Sequence, residues 1–214
     1  MDKTQMSWNI RTAQHLIQNL EKRRMEGSYA ATAAEALEEV LAMIPHGATV
    51  FRCGSITTTS MGLWQRIAAL PKVNIIDPYQ HGITLEQSVI ERRKGLNADV
   101  MISSSNAITL DGRLVNLDGL GNRVAAMMFG PKKVILVVGM NKVAPDLDFA
   151  IARIKHLVAP LNAIRIGVEA PCTANGLCAD CRSAERVCNM WSIIEGHREK
   201  GRIHVKLVGE DLGY

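Results

Sequence analysis

At 214 residues, with a net charge of +4 and a pI near 8.9, the chain has the length of one α/β domain and only a mild basic excess. Hydrophobic residues make up 47% and aromatic residues 4%, which allows a sizeable core but excludes the ring-lined platform of a nucleic-acid binder. No run approaches the ~18 apolar residues of a membrane span, and the charged, polar start Met1–Gln14 lacks a secretory pattern.

A cytoplasmic location is therefore expected, with the five cysteines reduced rather than in disulfides. The basic clusters Lys22–Arg23–Arg24, Arg92–Arg93–Lys94 and Lys132–Lys133 are short and scattered, as on solvated helix faces. Neither nucleic acid nor membrane insertion is expected. A modest positive field still suits a small anionic metabolite.

Hydrophobic periodicity predicts a helix from Trp8 to about Met25, with Ile10, Ala13, Leu16, Ile17 and Leu20 on its apolar stripe. A short strand follows at Ser28–Thr32, then a helix over Ala33–Met43 closed before Pro45. Ala48–Cys53 reads as a buried strand, Thr57–Ala69 as helical and Val73–Ile76 as a strand. Asp77–Gly82 has loop composition, Leu85–Lys94 is a helix and Val100–Ser103 a strand.

Ile108–Leu110 and Arg113–Val115 flank Asp111–Gly112, the signature of a tight hairpin. Asn116–Asn122 then reads as a loop, Arg123–Met128 as a helix and Lys133–Val138 as a strand buried on both faces. Asp146–Val158 is expected to be a helix ending before Pro160, and a last strand falls near Ile203–Val208. This alternation argues for one α/β domain over residues 1–214, with a mostly parallel sheet covered by helices on both faces. A β-hairpin excursion and a polar, cysteine-rich segment at 171–189 are added to it.

Three groups of residues, and more weakly the loop of His81, could carry chemistry. Gly54, Ser55 and Thr57 stand at a strand end, where open α/β sheets bind ligands. Gly54 lets backbone approach a ligand and the hydroxyls sit beside free helix N–H groups, although Ser and Thr also serve there simply as helix caps. The second group is Asn106, Asn116, Asp118, Gly119, Gly121, Asn122 and Arg123. Its G-x-G-N-R spacing is neither a dinucleotide fingerprint nor a Walker loop. Arg123 opposes the dipole of the helix it opens, which fits either an anion clamp or a salt bridge to Asp118. His81 in the Asp77–Gly82 loop could move a proton near neutral pH, but it equally suits plain solvation.

The third group is Cys172, Cys178, Cys181 and Cys188, spaced C-x5-C-x2-C-x6-C. Four thiols so close suit an iron–sulfur cluster or a tetrahedral zinc site, with Arg182 and Arg186 among them to favour thiolates. Reduced, unliganded cysteines are one alternative, and a redox dithiol at Cys178 and Cys181 another, although the strand and helix of a thioredoxin-type site are not predicted around them. Cys53, inside a predicted strand, reads as a small core residue.

Several linked segments resemble one family, the lactate-utilisation (LUD, LutC/YkgG-like, formerly DUF162) domain proteins. They are Gly54–Ser55 with the threonines that follow, the block Asn106–Val134, Gly139–Ile154, Pro171–Asn189 and Leu207–Tyr214. The resemblance implies a fold like that of the NagB/RpiA/CoA-transferase group and a contribution to the use of lactate or a related hydroxy acid. It also implies association with iron–sulfur redox partner proteins, and homo-oligomerisation is compatible with such a domain. Two other functions stay open. One is a transferase or isomerase acting on a CoA thioester or sugar phosphate, although no segment aligns with a CoA-transferase's catalytic glutamate: Glu169 sits near the end of a possible strand, and nothing else around it supports that role. The other is a non-enzymatic assembly module for a redox partner.

Overall fold

Lys133–Gly139 forms the central strand of a six-stranded sheet, because its run of aliphatic residues can be buried on both sides at once. The structure, a computed structural model, describes residues 2–214. In chain order the elements are α1 (Lys3–Lys22), β1 (Glu26–Ala30), α2 (Ala33–Ala42), β2 (Thr49–Arg52), α3 (Ile56–Ser60), α4 (Leu63–Ala68) and β3 (Asn74–Ile76). Then come α5 (Leu85–Lys94), β4 (Val100–Ser103), β5 (Ala107–Thr109), β6 (Leu114–Asp118), α6 (Asn122–Met128) and β7 (Lys133–Gly139). The chain ends through β8 (Val143–Ala144), α7 (Leu147–Arg153), α8 (Ala159–Ile166), α9 (Pro171–Asn175), β9 (Met190–Ile194) and β10 (Ile203–Val208).

The main sheet runs β1-β10-β7-β4-β2-β3, every pair parallel. Strand alternation divides the core in two. Val134, Leu136 and Val138 face one layer with Ala13, Leu16 and Leu20 of α1 and Met127 of α6. Ile135 and Val137 face the other, with Val40 of α2 and Leu63, Trp64 and Ile67 of α4. The mostly parallel sheet with helices on both faces is therefore present.

The hairpin grows into a second sheet, ordered β8-β5-β6-β9. Its apolar face, with Ala107, Val115 and Leu117, packs on Ala150, Ile154 and Val158. Gly112 supplies the hairpin's left-handed residue (φ 89°), so the turn needs positive φ at one of its two central positions.

Several boundaries differ from expectation. The first helix starts at Lys3, because Asp2 caps it by accepting from the N–H groups of Thr4 (2.7 Å) and Gln5 (2.9 Å). Asn9, not Ile10, is on its buried side, and the Asn9 amide donates to Gly209 O at 2.9 Å. The first strand is two residues earlier, at Glu26–Ala30. The helix expected over Thr57–Ala69 is two helices broken at Gly62, which is left-handed (φ 69°). Asn116 and Asp118 lie on β6 rather than in a loop, which shortens that loop to Gly119–Gly121.

Pro160 does not end its helix. The chain widens into one π turn over Ile154–Val158 and continues as α8, with the proline in the first turn, where its missing N–H costs little. Glu169 is in an exposed loop, not at a strand end. No helix among the described residues is long and apolar enough to cross a membrane.

Candidate anion-binding cleft

The carboxyl ends of β2, β4 and β6 open into a cleft of about 620 Å³, lined by Gly54, Ser55, Thr57, Asn106, Asp118, Gly119, Asn122 and Arg123. The two sequence-predicted loops thus meet across one space. Asn116 and Gly121 stand behind the wall: Asn116 is fully buried, and Gly121 caps α6 in the left-handed region (φ 81°). His81 is exposed and does not line the cleft.

Gly54 is required by its neighbour, since a Cβ there would run into the Tyr79 hydroxyl. The Ser55 hydroxyl accepts from the Thr58 N–H at 3.3 Å, which makes Ser55 the N-cap of α3. Thr57 is buried and its hydroxyl donates to Leu212 O at 3.1 Å.

Arg123 is the hub of the second loop. Its Nη1 reaches Asn116 Oδ1 (2.6 Å) and Ser104 O (3.3 Å), and its Nη2 reaches Asn106 Oδ1 (2.8 Å) and Leu117 O (3.1 Å). Its Nε faces Asp118 Oδ1 at 3.3 Å. A guanidinium has five N–H groups, so every donor of Arg123 is occupied by the protein's own oxygens. The salt bridge to Asp118 is therefore formed, and the arginine orders the loop from within. With its amide oxygen turned toward them, Asn122 accepts from the Arg123 N–H and from Arg92 Nη1, both at 3.2 Å.

The cation with least compensation is Lys142, just beyond the carboxyl end of β7. It is 4% exposed, and its Nζ contacts the hydroxyls of Thr57 (2.8 Å) and Ser104 (3.1 Å). No carboxylate pairs with it among the described residues. Burial, with Arg153 and Arg123 adding repulsion, pushes its pKa down to about 7. Lys206, fully buried in β10, differs in having Glu39 as its ion partner. The one signal the sequence offers for Lys142 is its place just after the apolar run of β7, and that signal does not show that the lysine is buried without a carboxylate.

Two more arginines frame the mouth. Arg52 sits between the rings of Trp64 (5.4 Å) and Tyr79 (5.7 Å) and pairs with Asp77 at 2.9 Å. Arg92 also lies over the Tyr79 ring, at 4.9 Å from its centre. Arg165 completes the lining, which holds five cationic side chains and one carboxylate, Asp118. Such a concave positive surface concentrates anions. Cys53, behind the cleft, is fully buried, and desolvation raises its thiol pKa to about 12, so it remains an inert core thiol.

The cysteine segment docks against this cleft. Asn189 N–H donates to Asp118 O at 2.8 Å and Asn189 Nδ2 to Gly119 O at 3.2 Å. Val187 and Cys188 line the cleft from that side. All four cysteines border a second, small cavity of about 20 Å³. Among the described residues, no three His, Cys, Asp or Glu side chains already stand in an arrangement that holds a metal ion.

A parallel α/β sheet with a cleft of basic lining at its strand ends defines the class of protein: an α/β protein of the parallel-sheet type. The LUD domain model matches residues 13–208, and the chain belongs to that family. A DUF162 family protein from Deinococcus radiodurans has a crystal structure similar to this one, with a TM-score of 0.48 and 12% identity over 95% of this chain and 97% of that one. No curated protein matches the sequence.

Proposed function

We propose that the chain binds a small anionic metabolite, a hydroxy acid such as lactate or a close relative, and contributes to its utilisation in the cytoplasm. The observation that carries this reading is Lys142, a buried ammonium among hydroxyls with no carboxylate paired to it among the described residues. A buried charge without a partner is costly, and a ligand carboxylate beside Thr57, Ser104 and Lys142 removes that cost. Arg52 and Arg92 draw the anion in, while Asn106, Asp118 and Arg123 keep the opposite wall rigid. Oxidation of a hydroxy acid releases two electrons, and a separate iron–sulfur protein is the partner this reading calls for.

The cleft volume favours a second reading. About 620 Å³ exceeds what a three-carbon acid fills and lies in the range of larger ligands. A CoA thioester or sugar phosphate would place its phosphates among the same cations. Thermal-shift and calorimetric titrations with lactate, glycolate, acyl-CoAs and sugar phosphates separate the two. A ligand at 100-fold its Kd stabilises by about 2.7 kcal/mol. Lactate or glycolate should stabilise the wild type and leave Lys142→Met unmoved. A response confined to CoA thioesters or sugar phosphates would replace the hydroxy-acid reading with the second one.

A further inference from the structure

From Ile164 to Trp191 no residue is buried. Between the end of α8 and the start of β9 the sole regular element is the single turn of α9. A span of this length needs something to hold it, since loops without secondary structure or a core of their own are uncommon in compact domains. Its apolar side chains do not supply that core: Ile164, Ile166 and Leu177 are 49%, 49% and 68% exposed.

What the segment does bring together is sulfur. Cys172 on α9 and Cys178, Cys181 and Cys188 on the loop after it all border the 20 Å³ cavity. Ala159, Pro160 and Ala163 close its other side. The surrounding chain is pinned by Arg186, which donates to Cys188 O at 3.0 Å, to Cys181 O, and to Asp180 Oδ1 at 3.0 Å. Lys155 also pairs with Asp180, at 2.5 Å.

We infer that the four thiols bind a single divalent ion of zinc's kind in a closed, tetrahedral thiolate site, which acts as the missing core of residues 164–191. The small volume favours one ion over a cluster. A space of about 20 Å³ admits one atom of water size, for which ~10–15 Å³ suffices. A four-iron cluster with its sulfides is far larger. Four protein sulfurs leave no open position, which makes the site structural rather than catalytic. Binding releases the four thiol protons and leaves a net charge of −2 on the site. Arg186 and Lys155 stand beside it to offset that charge. The thiols border the cavity without yet converging in it, so binding an ion requires the turn that carries Cys178 and Cys181 to close on it within the frame set by the Asp180 ion pairs. The inference does not depend on the identity of the anion in the neighbouring cleft.

The test is made on the full chain, purified under reducing, oxygen-free conditions. Metal analysis should find one zinc per chain, and Cys178→Ser with Cys181→Ser should abolish it. Replacement by Co²⁺ should give the intense visible bands of tetrahedral cobalt and the near-ultraviolet thiolate-to-cobalt band. Removal of the ion should open residues 164–191 to limited proteolysis while the sheet stays folded. Four freely titrating thiols in the folded, metal-free wild type, with no cobalt spectrum on adding Co²⁺, would overturn the inference. So would iron with acid-labile sulfide. The cobalt and thiol measurements are made on the wild type, so a variant that fails to fold does not obscure the result.

Discussion

Lys142 sets the pH behaviour of the cleft. Its ordinary value is 10.5 and folding lowers it to about 7. Between those two values the unfolded chain holds more protons than the folded one, so stability rises with pH over that window. At pH 7 and below the penalty is fully present, on the order of a few kcal/mol. Lys142→Met should therefore raise the melting temperature at pH 6–7 while abolishing stabilisation by lactate. The gain should shrink toward pH 10. For the wild type, a bound anion draws the lysine pKa back up. Anion affinity should then fall as pH rises above about 7, by at most tenfold per unit, with proton uptake on binding measurable by calorimetry in buffers of different ionisation enthalpy.

Arg123 gives the opposite result at the same scale. Its side chain is 10% exposed and meets only the protein's own acceptors. Arg123→Ala strands Asn116 Oδ1, Asn106 Oδ1 and the Asp118 carboxylate, and breaking such a buried pair costs about 3–5 kcal/mol. A large drop in denaturant midpoint is expected, and Arg123→Lys should not restore it because an ammonium cannot span those oxygens. An unchanged midpoint in Arg123→Ala would mean that the hub is dispensable.

Among the elements, α6 depends most on one residue. Gly121 is left-handed, and a Cβ there would lie 2.6 Å from Met190 Sδ on β9. Gly121→Val combines backbone strain with displacement of the Met190 side chain, so a loss of more than ~1 kcal/mol is expected in chemical denaturation. Met190→Ala should relieve part of it.

The elements also show what a sequence makes legible. Leu85–Lys94 and Ile203–Val208 match the expected bounds because caps and continuous apolar runs mark them locally. Gly54, Ser55 and Thr57 are legible as a strand end and Asn116–Arg123 as a glycine loop opening a helix, both local patterns; that they face one cleft is not. Lys142 was missed because its importance lies in lacking a carboxylate, a relation among distant residues. Strand β9, with Met190, Trp191 and Ile193 exposed, has no clear alternation to announce it, and its place is set by pairing with β6. The π turn at Ile154–Val158 is invisible for a similar reason: Pro160 ordinarily signals a stop, and tertiary packing overrides it.

At the scale of the molecule, the two sheets divide the labour. The parallel sheet supplies rigidity, since β7 is paired on both sides by β10 and β4. Its amides should show the slowest hydrogen exchange, while β3 at the sheet edge, with one partner and no fully buried residue, should exchange much faster. The second sheet carries the cleft wall on β6 and, through β9, ties the cysteine segment to it. Equal protection of β3 and β7 would show that the sheet opens as one cooperative unit.

The exposed stretch between α8 and β9 has a consequence for how this fold can change. Both its ends are fixed, by buried Ala163 on one side and buried Ser192 on the other. Lengthening a closed loop is cheap, roughly 0.6 kcal/mol for each doubling. Residues can thus be added near Leu177 without any strand of the parallel sheet registering them, although Val187 and Cys188 of the same stretch look into the cleft. One wall of the ligand space is in effect an interchangeable part, able to vary in length and chemistry while the framework that bears it stays the same.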